Sequence, residues 1–162
     1  MTLSTGDRLP AATFLELGPD GPREIPSAEI FAGKTVALFA LPGAFTGTCS
    51  TQHMPSFIRV ADDLRAKGVE AIVCLSVNDP FVLKAWGEAT GAPAAGIRLL
   101  GDPSSAFTKA VGMDFDRAQA GLIGRSKRYS ALVEDGVVKV LNVEESPGVC
   151  ELSAGETLLG QI

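Results

Sequence analysis

The residues best equipped for chemistry lie between Pro42 and His53. Cys49 stands among Thr46, Thr48, Ser50 and Thr51, and the chain's one histidine, His53, follows it on the same stretch. A cysteine is a nucleophile as its thiolate. A cysteine that merely fills a core sits among apolar neighbours. These neighbours are polar, so the pattern favours a reactive thiol. Cys49 and His53, at i and i+4 on one helix face, are also metal-type donors. A zinc site needs four ligands, however, and the chain has neither a C-x-x-C pair nor a second histidine. His53 is left with three readings: electrostatic tuning of the thiol, lining of its entrance, or packing.

The elements around Cys49 give it a place. Val36–Leu41 is an unbroken apolar run, the mark of a strand covered on both faces. It ends abruptly in Pro42-Gly43. Beyond Cys49, apolar residues recur at Met54, Phe57, Ile58, Ala61 and Leu64 with helical spacing. A buried strand therefore delivers the thiol to the start of a helix, where unpaired N–H groups and the positive dipole end favour thiolate. Pro55 predicts a kink in that helix and Gly68 its end.

Ala71–Val77 reads as a second buried strand. Asn78-Asp79-Pro80 supplies a cap and a proline for a helix with Phe81, Val82, Ala85, Trp86 and Ala89 on one face, ending at Gly91. Ile97–Leu100 is a third strand, and Asp102-Pro103-Ser104 opens a short helix through Phe107, Ala110 and Val111. Upstream, Thr13–Leu17 and Arg23–Ile25 flank the turn sequence Gly18–Pro22, predicting a small hairpin ahead of the main fold. Downstream, Met113–Lys127 reads as loop. Tyr129–Val133 and Val137–Val143 flank an Asp135-Gly136 hairpin turn. Ser153-x-x-Glu156 has the form of a capping box before a terminal helix with Leu158, Leu159 and Ile162. No repeat or linker divides the chain, so residues 1–162 are expected to form one α/β domain, a mixed sheet with helices on both faces.

The bulk properties narrow the function. A chain of 162 residues can bury a real core, and its net charge of −5 argues against nucleic acid or an anionic membrane as partner. Three cysteines, Cys49, Cys74 and Cys150, are too few and too scattered for a disulfide scaffold. No apolar run has the length of a membrane span, and the first residues lack the charged-then-apolar form of a signal peptide. The expectation is a cytoplasmic protein.

Pro42-x-x-x-Thr46-x-x-Cys49 resembles the active-site signature of the peroxiredoxins. The fuller string from Pro42 to Ser50 is similar to that of the peroxiredoxin five and plant type II subgroup. The resemblance continues through Ser76-Val77-Asn78-Asp79-Pro80-Phe81-Val82, Ala85-Trp86, Arg128-Tyr129-Ser130, Asp135-Gly136 and Leu141-Asn142-Val143-Glu144, covering nearly the whole chain in order. Gly47 departs from it, standing where relatives commonly have proline.

The resemblance implies a thioredoxin-like fold and the reduction of hydrogen peroxide and organic hydroperoxides, with neither metal nor haem. Carried over, Cys49 is the peroxidatic nucleophile, Thr46 orients the peroxide, Pro42 shields the pocket, and Arg128 favours the thiolate and stabilises charge on the leaving oxygen. From the residues alone, Thr46 could equally bond turn backbone, Pro42 could be turn chemistry, and Arg128 sits in a basic run of the kind that is usually solvated. Cys74, inside an apolar run, reads as a core thiol, though its position resembles the second cysteine of plant type II enzymes. Cys150 lies near the region that carries a resolving cysteine in other relatives. The favoured cycle uses one cysteine, with glutathione, glutaredoxin or thioredoxin attacking oxidised Cys49 directly, in a homodimer. The rival readings are a thioredoxin-like disulfide oxidoreductase, which the missing C-x-x-C motif disfavours, and a peroxide-sensing switch or interaction protein without major turnover.

Overall fold

The computed structural model describes residues 1–162. The buried run after Lys34 forms β3 (Thr35–Leu41), preceded by β1 (Thr13–Gly18), β2 (Gly21–Pro26) and α1 (Ser27–Phe31). β4 (Ala71–Ser76) and β5 (Ile97–Gly101) run parallel to β3, linked through α2 (Met54–Ala66) and α3 (Pro80–Thr90). After α4 (Ala106–Ala110) come β6 (Asp114–Arg117), β7 (Leu122–Ser126), β8 (Tyr129–Glu134), β9 (Val137–Val143) and α5 (Gly155–Leu159). The main sheet has the order β2-β1-β5-β4-β3-β8-β9, with β1, β2, β8 and β9 antiparallel to their neighbours.

Strand alternation divides the core into two layers. From β3, Val36, Leu38 and Ala40 join α1 and α4 on one face through Ile30, Phe31 and Phe107. Ala37, Phe39 and Leu41 pack on the other face against α2, α3 and α5 through Phe57, Leu64, Trp86 and Leu158. Cys49 and Cys74 both belong to this second layer.

Four expectations are corrected. The N-terminal hairpin is not separate, because Leu15 of β1 pairs with Gly101 of β5 and joins the sheet. Met113–Lys127 is not loop: it contains the β6–β7 hairpin, in which a largely exposed β6, the buried Gly124 and Ser126 of β7 and a bulge between Phe115 and Arg117 leave no apolar period to read. On α3 the buried face is Leu83, Trp86 and Gly87, whereas Phe81, Ala85 and Ala89 are exposed. The capping box does not form. The Ser153 hydroxyl and N–H both donate to the Glu144 carboxylate, at 2.6 and 2.7 Å, and α5 starts at Gly155 with no side-chain cap.

Candidate active site

The site begins where β3 ends. Pro42 and Gly43 turn the chain out of the sheet, and Ala44 N–H donates to Asn78 Oδ1 at 2.9 Å, tying this turn to the end of β4. Asp79, not Asn78, caps α3, accepting from Val82 N–H at 2.9 Å. Phe45, with φ of 61°, takes the left-handed conformation that a bulky residue adopts only under constraint.

Thr46 then starts the helical stretch, accepting from Ser50 N–H at 3.2 Å. Cys49–His53 is a π-helical turn, closed by Met54 N–H donating to Cys49 O. This wide turn replaces the expected kink inside the helix. Pro55 follows this turn directly, at the second residue of α2, so the widened turn falls where proline's missing N–H interrupts the helical ladder. Such widened turns recur at functional sites. Trp86 Nε1–H donates to Ser50 Oγ at 2.9 Å, fixing the turn against α3.

Arg128 is the residue that the fold brings in. Antiparallel β3 and β8 pair Ala40 with Tyr129, so Arg128 comes level with the end of β3. It lies on the same face as Leu132, which packs with Cys49. Its Nη2 donates to Cys49 Sγ at 3.2 Å and to Pro147 O at 2.9 Å, and its Nε donates to Pro147 O at 3.2 Å. Nη1 lies 3.0 Å from His53 Nδ1. The basic-run reading of Arg128 as a solvated residue therefore fails: it is 1% exposed, and Cys49 and His53 are 0% exposed.

Pro42 and Thr46 lie on the loop between the end of β3 and Cys49. The Thr46 hydroxyl donates to Gly43 O at 2.7 Å, which is the turn-bonding geometry and leaves its lone pairs free to accept. Pro42 O accepts from Arg125 Nη1 at 3.0 Å. Arg125 was not singled out by sequence, because its hairpin was not foreseen. Gly43 leaves room for this contact, since an added Cβ there would stand 2.2 Å from Arg125 Nη1. Gly47 leaves space for a side chain, with nothing within 4 Å of an added Cβ.

The other cysteines stand apart. Cys74, in the middle of β4, has its thiol pushed well above the ordinary value, by burial first, with neighbouring Cys49 adding and Arg128 opposing. Cys150 is partly buried, and burial again raises its thiol, against the opposing pull of Arg128 and Ser153. Its segment is linked to the site through Thr48 Oγ1, which donates to Gly148 O at 3.0 Å. No cysteine is bonded to another. A cavity of about 680 Å³ between α3, β1 and β5 contains none of these residues.

The chain resembles known proteins over almost its whole length. The Redoxin family model matches residues 4–159. The chain is 48% identical over 161 residues to the chloroplastic peroxiredoxin-2E-2 of Oryza sativa subsp. japonica, covering 97% of this chain and 72% of that one. It is 48% identical over 137 residues to the mitochondrial peroxiredoxin-2F of Arabidopsis thaliana, covering 85% and 68%. Among solved structures, reduced Prx3 of Vibrio vulnificus in complex with hydrogen peroxide matches with a TM-score of 0.90 at 48% identity, over 99% of both chains.

These names correct one expectation. The two curated relatives named above are chloroplastic and mitochondrial proteins, so the cytoplasmic placement read from the first residues does not stand. The family match over nearly the full chain, with relatives at this identity, means that the chain belongs to the Redoxin family, among its plant type II-like peroxiredoxins: it is a thiol peroxidase of thioredoxin-like fold that takes a peroxide as substrate and a thiol as reductant.

Proposed function

We propose that Cys49 is the peroxidatic nucleophile and that Arg128, Thr46 and Pro42 complete the catalytic group. The observation that carries this reading is the Arg128 Nη2 contact with Cys49 Sγ at 3.2 Å in a fully buried setting. A guanidinium fixed on the sulfur places a cation and a donor at the reacting atom, and a dry site strengthens that electrostatic contact. The thiolate attacks one peroxide oxygen, an S–O bond forms, and the O–O bond breaks. The departing oxygen takes the electron pair and a proton, leaving as water or an alcohol, and Cys49 becomes a sulfenic acid.

Hydrogen peroxide offers almost nothing to grip, so rate must come from alignment and preorganised donors. With its hydrogen committed to Gly43 O, the Thr46 hydroxyl serves as acceptor for the peroxide O–H. Arg128 donates to the oxygen on which charge develops. Pro42, held through its carbonyl by Arg125, keeps the loop closed against water.

The cycle uses one cysteine. Cys74 is sealed in the core as a thiol, and Cys150 is also driven towards the thiol by burial, so neither is poised as a resolving thiolate. The sulfenic acid is attacked instead by glutathione, glutaredoxin or thioredoxin. The whole chain acts as one domain. It works as a homodimer, in which a second copy covers apolar surface such as Phe45 and Phe81, 59% and 60% exposed.

Intact mass spectrometry tests the cycle. One equivalent of peroxide should add one oxygen, and glutathione should then convert that species to a mixed disulfide. Loss of two hydrogens with no glutathione adduct would show an internal disulfide and overturn the one-cysteine cycle.

A further inference from the structure

His53 is the chain's only histidine, fully buried, and both ring nitrogens are engaged. Nε2 lies 3.1 Å from Ser153 O and Nδ1 lies 3.0 Å from Arg128 Nη1. A carbonyl only accepts and a guanidinium only donates, so the proton must sit on Nε2 and the lone pair on Nδ1. The ring also packs, tilted, against the stacked Phe39–Phe57 pair, with centroids at 5.1 and 5.7 Å.

The π-helical turn from Cys49 to His53 thus presents two acceptors, a sulfur and an imidazole lone pair, to the two arms of one guanidinium. Behind His53, Ser153 is fixed by the Glu144 carboxylate, which accepts from its N–H and its hydroxyl and also from Glu151 N–H at 2.8 Å. Glu144 N–H in turn donates to Arg128 O at 2.9 Å, so the chain of contacts closes on Arg128.

We propose that His53 is a positioning residue for the peroxidase reaction: its Nδ1 lone pair holds one arm of Arg128 so that the other arm lies on the Cys49 sulfur. The proposal rests on the roles given above to Cys49 and Arg128. Proton abstraction by His53 is the competing role, and the geometry opposes it. The lone pair is already occupied by a cation, and burial and then Arg128 hold the imidazole down to about 3, far from the value a general base needs. Packing alone is the other competitor. A phenyl ring would keep the packing against the stacked Phe39–Phe57 pair, but it would leave Nη1 without that acceptor in a buried site.

The test compares second-order rate constants for peroxide in the full-length protein. His53→Phe keeps the ring and removes the acceptor, and should slow oxidation by up to about a hundredfold, the scale of a misplaced catalytic group. His53→Asn, whose side-chain oxygen accepts where Nδ1 did, should recover most of that loss. In an Arg128→Ala background, His53→Phe should add nothing, because both changes remove the same contact.

Additive losses, or an asparagine variant as slow as the phenylalanine one, would overturn the positioning role while leaving Arg128 in place. An Arg128→Ala variant with unimpaired rate would instead overturn the underlying assignment, and the proposal with it. Should His53→Phe fail to fold, nitrogen-15 spectra of the unaltered protein decide. A single neutral imidazole protonated on Nε2 from pH 5 to 8 supports the proposal. A proton on Nδ1, or titration within that range, contradicts it.

Discussion

Cys49 and Cys74 occupy the same apolar layer and are almost equally buried, at 0% and 1% exposed, yet their surroundings differ. Cys74 sits mid-strand between Phe39 and Leu99 in register, with no hydrogen-bond donor aimed at its sulfur, and burial holds it as a thiol. Cys49 sits one turn beyond the strand end and receives an N–H from Arg128. Burial by itself makes a thiol inert. Burial with a fixed cation makes a dry electrostatic site, where the same absence of water strengthens the contact between guanidinium and sulfur.

The contrast breaks most visibly with removal of one thiol. Cys49→Ser should abolish peroxide consumption measured with excess reductant, and substantial residual turnover would sink the assignment. Arg128→Ala should come next, slowing peroxide oxidation of Cys49 by about a hundred- to a thousandfold, the range for losing one preorganised donor. Stopped-flow kinetics would check it, and an unchanged rate would make the two cysteines electrostatically alike.

Cys74→Ser should leave glutathione-linked turnover largely intact. It should lower stability in urea unfolding by about 1–3 kcal/mol, because a buried hydroxyl replaces a sulfur without a partner. Complete loss of turnover in a folded variant would show that Cys74 takes part.

A pH effect on stability follows from His53. Its native value of about 3 lies below the ordinary 6.5, so the unfolded chain binds a proton that the native state refuses. Stability from this group is full above pH 6.5 and declines as pH falls towards 3. Between pH 6.5 and 5, above the carboxylate range, the slope should approach about 1.4 kcal/mol per pH unit. His53→Asn should lose that slope, as urea unfolding at several pH values would report. The smallest effect is at Gly47, which has room for a side chain at the start of the helical stretch. Gly47→Pro should raise stability by about 0.4–1 kcal/mol by restricting the unfolded chain.

Much of the local structure was legible because it is written in short-range pattern. Val36–Leu41 as a two-faced buried strand, Asp79-Pro80 as a helix start and Asp135-Gly136 as a hairpin turn all appear as β3, α3 and β8–β9. The thiol's place beyond a strand end was equally local. The partners of that thiol were not, because they depend on register between distant strands. Arg128 meets Cys49 only through the Ala40–Tyr129 pairing, and Arg125 meets Pro42 only through a polar hairpin with no apolar period. Ser153 misled for a related reason. Its local motif offered a capping box, and a carboxylate nine residues upstream, Glu144, took its donors instead.

The most direct measurement treats the reduced protein with one equivalent of hydrogen peroxide, traps sulfenic acid with a dimedone-type reagent and maps the label by peptide mass spectrometry. The label should fall on the Cys49 peptide and be absent from Cys74 and Cys150. Label on Cys74, or equal label on Cys49 and Cys150, would contradict an account in which the arginine contact, and not burial or thiol supply, selects the reacting sulfur.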